Sequence, residues 1–230
     1  MVVGNGMIAT AFNRFATDAG RLIFASGVSN SSTLQQEQFD REENLLRRNM
    51  AQHPDKQLIY FSTCSIYDAS MQQSAYVKHK LAMEQCIQKQ CNSYLIFRVS
   101  NPVGITRNPH TVLNYFVQHI KNGTAFSIWK NAERNLIDLS DMVKLCSHIL
   151  LNTHTQNSMV NIANTGNYSV AQIVAAIEQH FHQKARATLL DTGSSPIIDT
   201  SFIEPMLATL GISFDKNYLH RLLQKYFPLA

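Results

Sequence analysis

The sequence is poor in the residues that build metal or disulfide frameworks. Its four cysteines, Cys64, Cys86, Cys91 and Cys146, form no Cys-x-x-Cys pair. No histidine and cysteine cluster has zinc-site spacing, and His180 with His182 reads as polar surface at a helix end, so no metal is expected. Free thiols in a reducing cytoplasm are the expectation. No apolar run approaches the ~20 residues of a membrane span, so no membrane partner is expected. The chain opens directly on Met1-Val2-Val3-Gly4, without the features of a secretory signal, which also points to the cytoplasm. Charge is sparse as well. Only 16% of residues are charged, and the net charge is +4. The single basic cluster, Arg41 to Arg48, also holds Glu42 and Glu43 and reads as a solvated helix face. A nucleic-acid footprint is therefore not expected, although a mild positive excess suits an anionic small ligand.

What is present is a core-forming chain. Its 230 residues are 45% hydrophobic, enough for one domain with a small attached lobe. Short apolar runs alternate with amphipathic stretches, the pattern of a parallel sheet covered by helices in an α/β fold. Strands are predicted at Met1–Val3, Leu22–Ala25, Gln57–Ser62, Tyr94–Val99 and Met159–Ile162. Helices are predicted at Met7–Ala19, Gln36–Gln52, Ser74–Gln90 and Ser140–Leu151. Further helices at Thr111–Asn122, Val170–Phe181 and Tyr218–Phe227 fall outside the alternation. The resulting division assigns 1–104 and 134–163 to a nucleotide-binding core, and 105–133 and 164–230 to an interleaved substrate-binding lobe.

Gly4-Asn5-Gly6-Met7-Ile8-Ala9 fits Gly-x-Gly-x-x-Ala, directly after an apolar strand and opening a helix. In that context the first glycine makes the turn, the second lets a pyrophosphate approach the backbone, and the alanine permits close packing. Unpaired N–H groups at the helix start would meet the phosphates. One partner is missing. An acid is expected about 20 residues on to hold an adenosine ribose, but Arg21-Leu22-Ile23-Phe24-Ala25-Ser26-Gly27 has none, and Asp18 precedes it. Either the adenosine end is held differently or cofactor binding is impaired.

Leu58-Ile59-Tyr60-Phe61-Ser62-Thr63-Cys64-Ser65 is an apolar strand ending in hydroxyls, and Tyr76 and Lys80 follow four apart on one helix face. A free tyrosine titrates near 10 and is a poor base at neutral pH. A neighbouring ammonium favours the phenolate and brings it toward the working range. Thr63 could then hold a substrate oxygen while Tyr76 gives or takes its proton. The Tyr-x-x-x-Lys spacing alone is common by chance; its place after the glycine turn and the hydroxyl-ended strand gives it meaning.

With these motifs in order, the chain resembles the extended short-chain dehydrogenase/reductase family, in particular its nucleotide-sugar epimerases, dehydratases and reductases. Phe61-Ser62-Thr63-Cys64-Ser65-Ile66-Tyr67 resembles the catalytic hydroxyl strand, Tyr76-Val77-Lys78-His79-Lys80 the catalytic helix, and Phe97-Arg98-Val99-Ser100-Asn101-Pro102-Val103-Gly104 the segment beside nicotinamide and substrate. Glu133-Arg134-Asn135-Leu136-Ile137-Asp138 resembles the stretch whose arginine contacts the substrate diphosphate, with Asp141 further along it. The resemblance implies a Rossmann-like, doubly wound parallel sheet, NAD or NADP as cofactor, and a nucleotide-sugar as substrate. It implies catalytic roles for Thr63, Tyr76 and Lys80. Cofactor contacts fall to Gly4, Gly6, Met7 and Ile8 at the turn, to Ser26 and Gly27 after the next strand, and to Ser62, Tyr76, Lys80 and Pro102. Substrate contacts fall to Ser65, Asn101 and Arg134. Members often dimerise through the tyrosine helix, where Val77, Leu81 and Ile87 allow either a homodimer face or ordinary core packing.

The departures are as informative. Phe24-Ala25-Ser26-Gly27 resembles the end of the family's fourth strand, yet it follows the first helix directly. The usual second and third strands, with much of the adenosine pocket, are therefore missing, and the first strand is expected at a sheet edge. Cys64 and Ser65 stand where 4,6-dehydratases carry Asp and Glu, which argues against dehydration. The expectation is an NAD(P)-dependent reductase or epimerase of nucleotide-activated sugars; the alternative is a catalytically silent nucleotide or nucleotide-sugar sensor of the same fold.

Overall fold

The computed structural model describes residues 1–229. In chain order the main elements are β1 (Val2–Val3), α1 (Met7–Ala11), β2 (Arg21–Phe24), α2 (Gln36–Gln52), β3 (Gln57–Thr63), α3 (Ala75–Gln90), β4 (Tyr94–Val99) and β5 (Asn101–Val103). They continue with α4 (Val112–Lys121), β6 (Phe126–Trp129), β7 (Glu133–Arg134), β8 (Leu136–Asp138), α5 (Leu139–Asn152) and β9 (Ser158–Ile162). The last are β10 (Tyr168–Ser169), α6 (Val170–Phe181), β11 (Ala187–Leu190), α7 (Glu204–Leu207) and α8 (Tyr218–Tyr226).

The central sheet has the order β1-β2-β3-β4-β9, with every pairing parallel. β1 therefore pairs only with β2 and forms an edge, as expected from the missing strands. The middle strands are apolar almost throughout because both their faces are covered. Their side chains alternate accordingly. Ile23, Ile59, Phe61, Leu95 and Phe97 pack with Phe12, Met142, Leu145 and Ile149 of the α1 and α5 side. Leu22, Phe24, Leu58, Tyr60 and Ile96 pack with Leu46, Met50, Met83 and Ile87 of α2 and α3. A third cluster joins α4, α6 and α8 through Leu113, Phe116, Ile120, Ile173, Ile177, Leu219 and Leu222.

Several expectations need correction. The helix predicted over Met7–Ala19 ends at Ala11 and gives way to a 3-10 turn at Asn13–Phe15. Phe12 and Phe15 are both buried there, and the Met1 ammonium donates to the carbonyls of Phe15, Asp18 and Arg21. The 3-10 turn brings both phenylalanine rings into the core beneath the sheet, which a helix running on would not do. Short strands also appear where none is predicted: β5 with β8, β7 with antiparallel β10, and β6 with β11. Two- to four-residue strands carry too little periodicity to be read. The C-terminal segment is divided as well. Ile203 and Ile212, placed with the lobe by sequence, pack into the sheet's α5-side core. Val77 and Ile87 are 1% and 0% exposed within the chain itself, so internal packing accounts for both. Among the described residues, no helix is long and apolar enough to cross a membrane.

The two glycines of the first turn are under different constraints. Gly4 has φ +128°, and an added Cβ would lie 2.4 Å from the Ala25 carbonyl oxygen. At Gly6 nothing lies within 4 Å of an added Cβ. Gly4→Ala is expected to destabilise the fold by about 2 kcal/mol or more, from strain and the backbone clash, whereas Gly6→Ala should fall within about 0.5 kcal/mol of wild type in urea unfolding.

Candidate active site

The carboxyl ends of β1, β2, β3 and β4 converge, and the crevice outside them is where an open parallel sheet binds its ligands. A cavity of about 310 Å³ lies there. Of the residues expected at a cofactor, Gly6, Met7, Ile8, Gly27, Ser62, Tyr76, Lys80 and Pro102 line it. Gly4 and Ser26 do not. They back the turn from behind, where a Cβ on Gly4 would come 3.1 Å from the Ser26 nitrogen. Thr63 lines the same cavity as Tyr76 and Lys80. A second cavity, of about 630 Å³, holds Ser65, Asn101 and Arg134 together with Tyr115, Phe116 and Trp129. The two share Ser31, Ser65, Ser100, Asn101, His110 and Val112, so they open into one another.

Each functional side chain is held from the sequence upward. Ser74 caps α3 by accepting from the Val77 nitrogen at 3.2 Å, so the helix starts just before Tyr76. Thr63, the last residue of β3, accepts from the Ser65 nitrogen at 3.0 Å and donates to the Ser65 hydroxyl at 3.0 Å. Asn101 donates to the Asn135 carbonyl at 2.8 Å, which ties the segment after β4 to the start of β8. Arg134 lies 3.3 Å from Asp68, whose other oxygen accepts from Ser70 and Ser194. Tyr76 is half-buried, and among the described residues its hydroxyl has no hydrogen-bond partner.

Lys80 is 3% exposed and donates to Glu42 Oε1 at 2.8 Å, the Tyr60 hydroxyl at 3.0 Å and the Phe61 carbonyl at 3.3 Å. An ammonium has three hydrogens, so all are engaged. Glu42 is 0% exposed, which corrects the reading of Arg41–Arg48 as a wholly solvated face. It also accepts from the Tyr60 hydroxyl at 2.6 Å and the Val28 nitrogen at 2.7 Å. His79 Nε2 lies 3.1 Å from Glu42 Oε2 but without hydrogen-bond geometry. Burial pushes the Glu42 carboxyl upward, but the Lys80 ammonium and these donors outweigh it and hold the group far below the ordinary carboxylate range. Burial, with Glu42 alongside, pushes the Tyr60 phenol well up, so it stays a donor. Glu42, Tyr60 and His79 went unnoticed in the sequence. A signal was there: Phe39, Glu42, Leu46 and Asn49 recur at helical spacing on the buried face of α2.

Beneath the site, Glu84 accepts from Arg98 at 2.6 and 3.0 Å and from Ser62 at 2.5 Å, which closes a second buried ion pair. Asp18 bonds Arg21 and the Gly20 nitrogen and so supports a turn. His180 is bonded to the Phe227 carbonyl, and no group of three or more metal-ligating side chains occurs among the described residues.

Strand order and a site at the carboxyl ends define a Rossmann-type α/β protein. Within that class, the profile of the NAD dependent epimerase/dehydratase family matches residues 22–163, more than half of the chain. The chain belongs to that family. The match begins in β2 and leaves out the Gly4–Gly6 turn. Curated proteins give no significant match. Among solved structures, UDP-N-acetylglucosamine 4-epimerase from Bacillus cereus is similar with TM-score 0.67 and 17% identity, over 99% of this chain and 85% of that one. UDP-glucose 4-epimerase from Thermus thermophilus, in complex with NAD, gives TM-score 0.68 and 13% identity over 94% and 78%. MoeE5 in complex with UDP-glucuronic acid and NAD gives 0.70 and 15% over 88% and 76%. At these identities the likeness is one of fold.

A carboxyl depressed on folding stabilises above its unfolded value and loses that contribution as pH falls. Glu42 starts from an ordinary value of 4.5, so the urea midpoint should hold above about pH 5 and decline below 4.5. Glu42→Gln should flatten the decline. Lys80→Met, which strands a buried carboxylate, should cost about 3–5 kcal/mol at neutral pH.

Proposed function

We propose that the chain is an NAD(P)-dependent oxidoreductase acting on a nucleotide-activated sugar, as a reductase or an epimerase. The observation that carries this reading is the placement of Thr63, Tyr76 and Lys80 on one cavity that opens directly into a larger one holding Arg134. Similar folds have been crystallised with NAD and with nucleotide-sugars, as in MoeE5.

The residues present fit the nicotinamide and diphosphate half of a dinucleotide. The Gly6 backbone faces open space, and Gly27, Tyr76, Lys80 and Pro102 line one compact cavity. The volume of about 310 Å³ sits at the lower end of small-molecule sites, roughly 300–1,000 Å³. When bound, the nicotinamide supplies hydride transfer to or from a sugar carbon. The chain's own part is proton handling and orientation. Tyr76 gives a proton to, or takes one from, the sugar oxygen. Thr63 holds that oxygen through its hydroxyl, and Lys80 positions Tyr76 electrostatically. Arg134, half-buried in the larger cavity, offers a planar guanidinium to the substrate's diphosphate. Aromatic side chains at Tyr115, Phe116 and Trp129 suit a nucleobase. Dehydration is disfavoured. Cys64 is buried, donates to the Arg98 carbonyl and has its thiol pushed up to about 12, so it supplies no base.

Tyr76→Phe should lower turnover of an accepted UDP-sugar by about 10²–10⁴ while leaving saturable NADH binding, read by fluorescence, within about twofold. A Tyr76→Phe variant with full turnover would remove the acid/base assignment, and binding without turnover in wild type would favour a sensor. Arg134→Ala should weaken UDP binding at least about tenfold, roughly 1.5–3 kcal/mol for a charged hydrogen bond, and should also lower the melting temperature, because it leaves the buried Asp68 carboxylate with only its serine donors.

A further inference from the structure

We propose that Glu42 is a positioning residue for the Tyr76–Lys80 pair, fixing the ammonium of Lys80 and balancing its charge. This rests on the acid/base reading above. A lysine shifts a nearby phenol through its net charge. Here that charge is met at 2.8 Å by a carboxylate with 0% exposure. Tyr76 lines the same cavity as Lys80, so the charge it shares that cavity with belongs to an ion pair and not to a lone cation.

The surroundings leave Glu42 as the group that decides the balance. From α3, Tyr76, His79, Lys80 and Glu84 face this region; from β3, Tyr60 and Ser62; from β4, Arg98; from α2, Glu42 itself. Glu84 is already matched by Arg98, with Ser62 as a further donor. Tyr60 donates to Glu42 and adds no charge. His79 is 3.1 Å from Glu42 and would add a positive charge only if protonated. The pair is also pressed against backbone. A Cβ on Gly27 would lie 2.6 Å from Lys80 Nζ and 3.2 Å from Glu42 Oε1. Glu42 accepts from Val28 as well, so one carboxylate holds both the lysine and the loop that walls the cavity.

The test uses the full-length, ligand-free protein. Tyrosinate absorbance is titrated with pH, and the step belonging to Tyr76 is the one that Tyr76→Phe removes. In Glu42→Gln, which keeps the side-chain shape but removes the charge that Lys80 is paired with, that step should move from its wild-type position by about one unit. Glu42→Asp, which keeps the charge but withdraws it by one methylene, should move the step in the same direction by a clearly smaller amount. With a UDP-sugar that the enzyme turns over, the acid limb of the pH–rate profile should move the same way. An unmoved step in a folded Glu42→Gln variant would overturn the proposal, leaving Glu42 a purely structural group. Should Glu42→Gln fail to fold, Glu42→Asp decides, since withdrawing the charge by one methylene should move the step slightly in the same direction and an unchanged step overturns it. Turnover unaffected by Tyr76→Phe would instead sink the acid/base reading, a separate result.

Discussion

A parallel sheet covered on both faces is the constraint on which the molecule depends. Because each strand must be followed by a crossover, every strand runs the same way, and all five carboxyl ends open on one side. The glycine turn after β1, Gly27 after β2, Thr63 at the end of β3 and Ser100 after β4 are neighbours for that reason alone. They are distant in sequence. Apolar side chains on alternate faces bury the sheet against α1 and α5 on one side and α2 and α3 on the other, and this burial supplies the main driving force for the arrangement.

The cost of carrying charge into such a core is met by pairing. Lys80 with Glu42 and Arg98 with Glu84 are near-saturated hydrogen-bonding groups on adjacent strands and helices. A third hub, Asp138, fastens the C-terminal helix. It accepts from Lys225, Tyr226 and Ser140, while the Tyr218 hydroxyl accepts from its backbone nitrogen and donates to Asp141. Those bonds, with the Lys225 ammonium, hold the Asp138 carboxyl below its ordinary range against the effect of burial. Asp138 also caps α5, so one side chain joins the sheet's outer helix to the lobe.

The sequence showed the strands most clearly where burial on both faces made them long apolar runs, as in β3 and β4. It showed α3 as a good helical stretch from Ser74 onward. Thr63, Tyr76 and Lys80 could be grouped because motif order is preserved along the chain. The Glu42–Lys80 contact could not, because it joins residues 38 apart through a tertiary contact and Glu42 sits among solvated charges in the sequence. The early end of α1 was equally hidden. Met7–Ala19 has fair helical propensity, and the 3-10 turn that replaces its second half puts both Phe12 and Phe15 into the core beneath the sheet. The division of the C-terminal segment between sheet and lobe depends on Ile203 and Ile212, which in sequence look no different from any other isolated isoleucine.

β1 has one further consequence, for the solution behaviour of the protein. An edge strand offers free backbone donors and acceptors to any other chain, and long flat edges invite sheet-to-sheet association. This one is only two residues long, and its next residue is Gly4 at φ +128°, which turns the backbone away at once. The glycine that permits the tight turn therefore also blunts the exposed margin of the sheet.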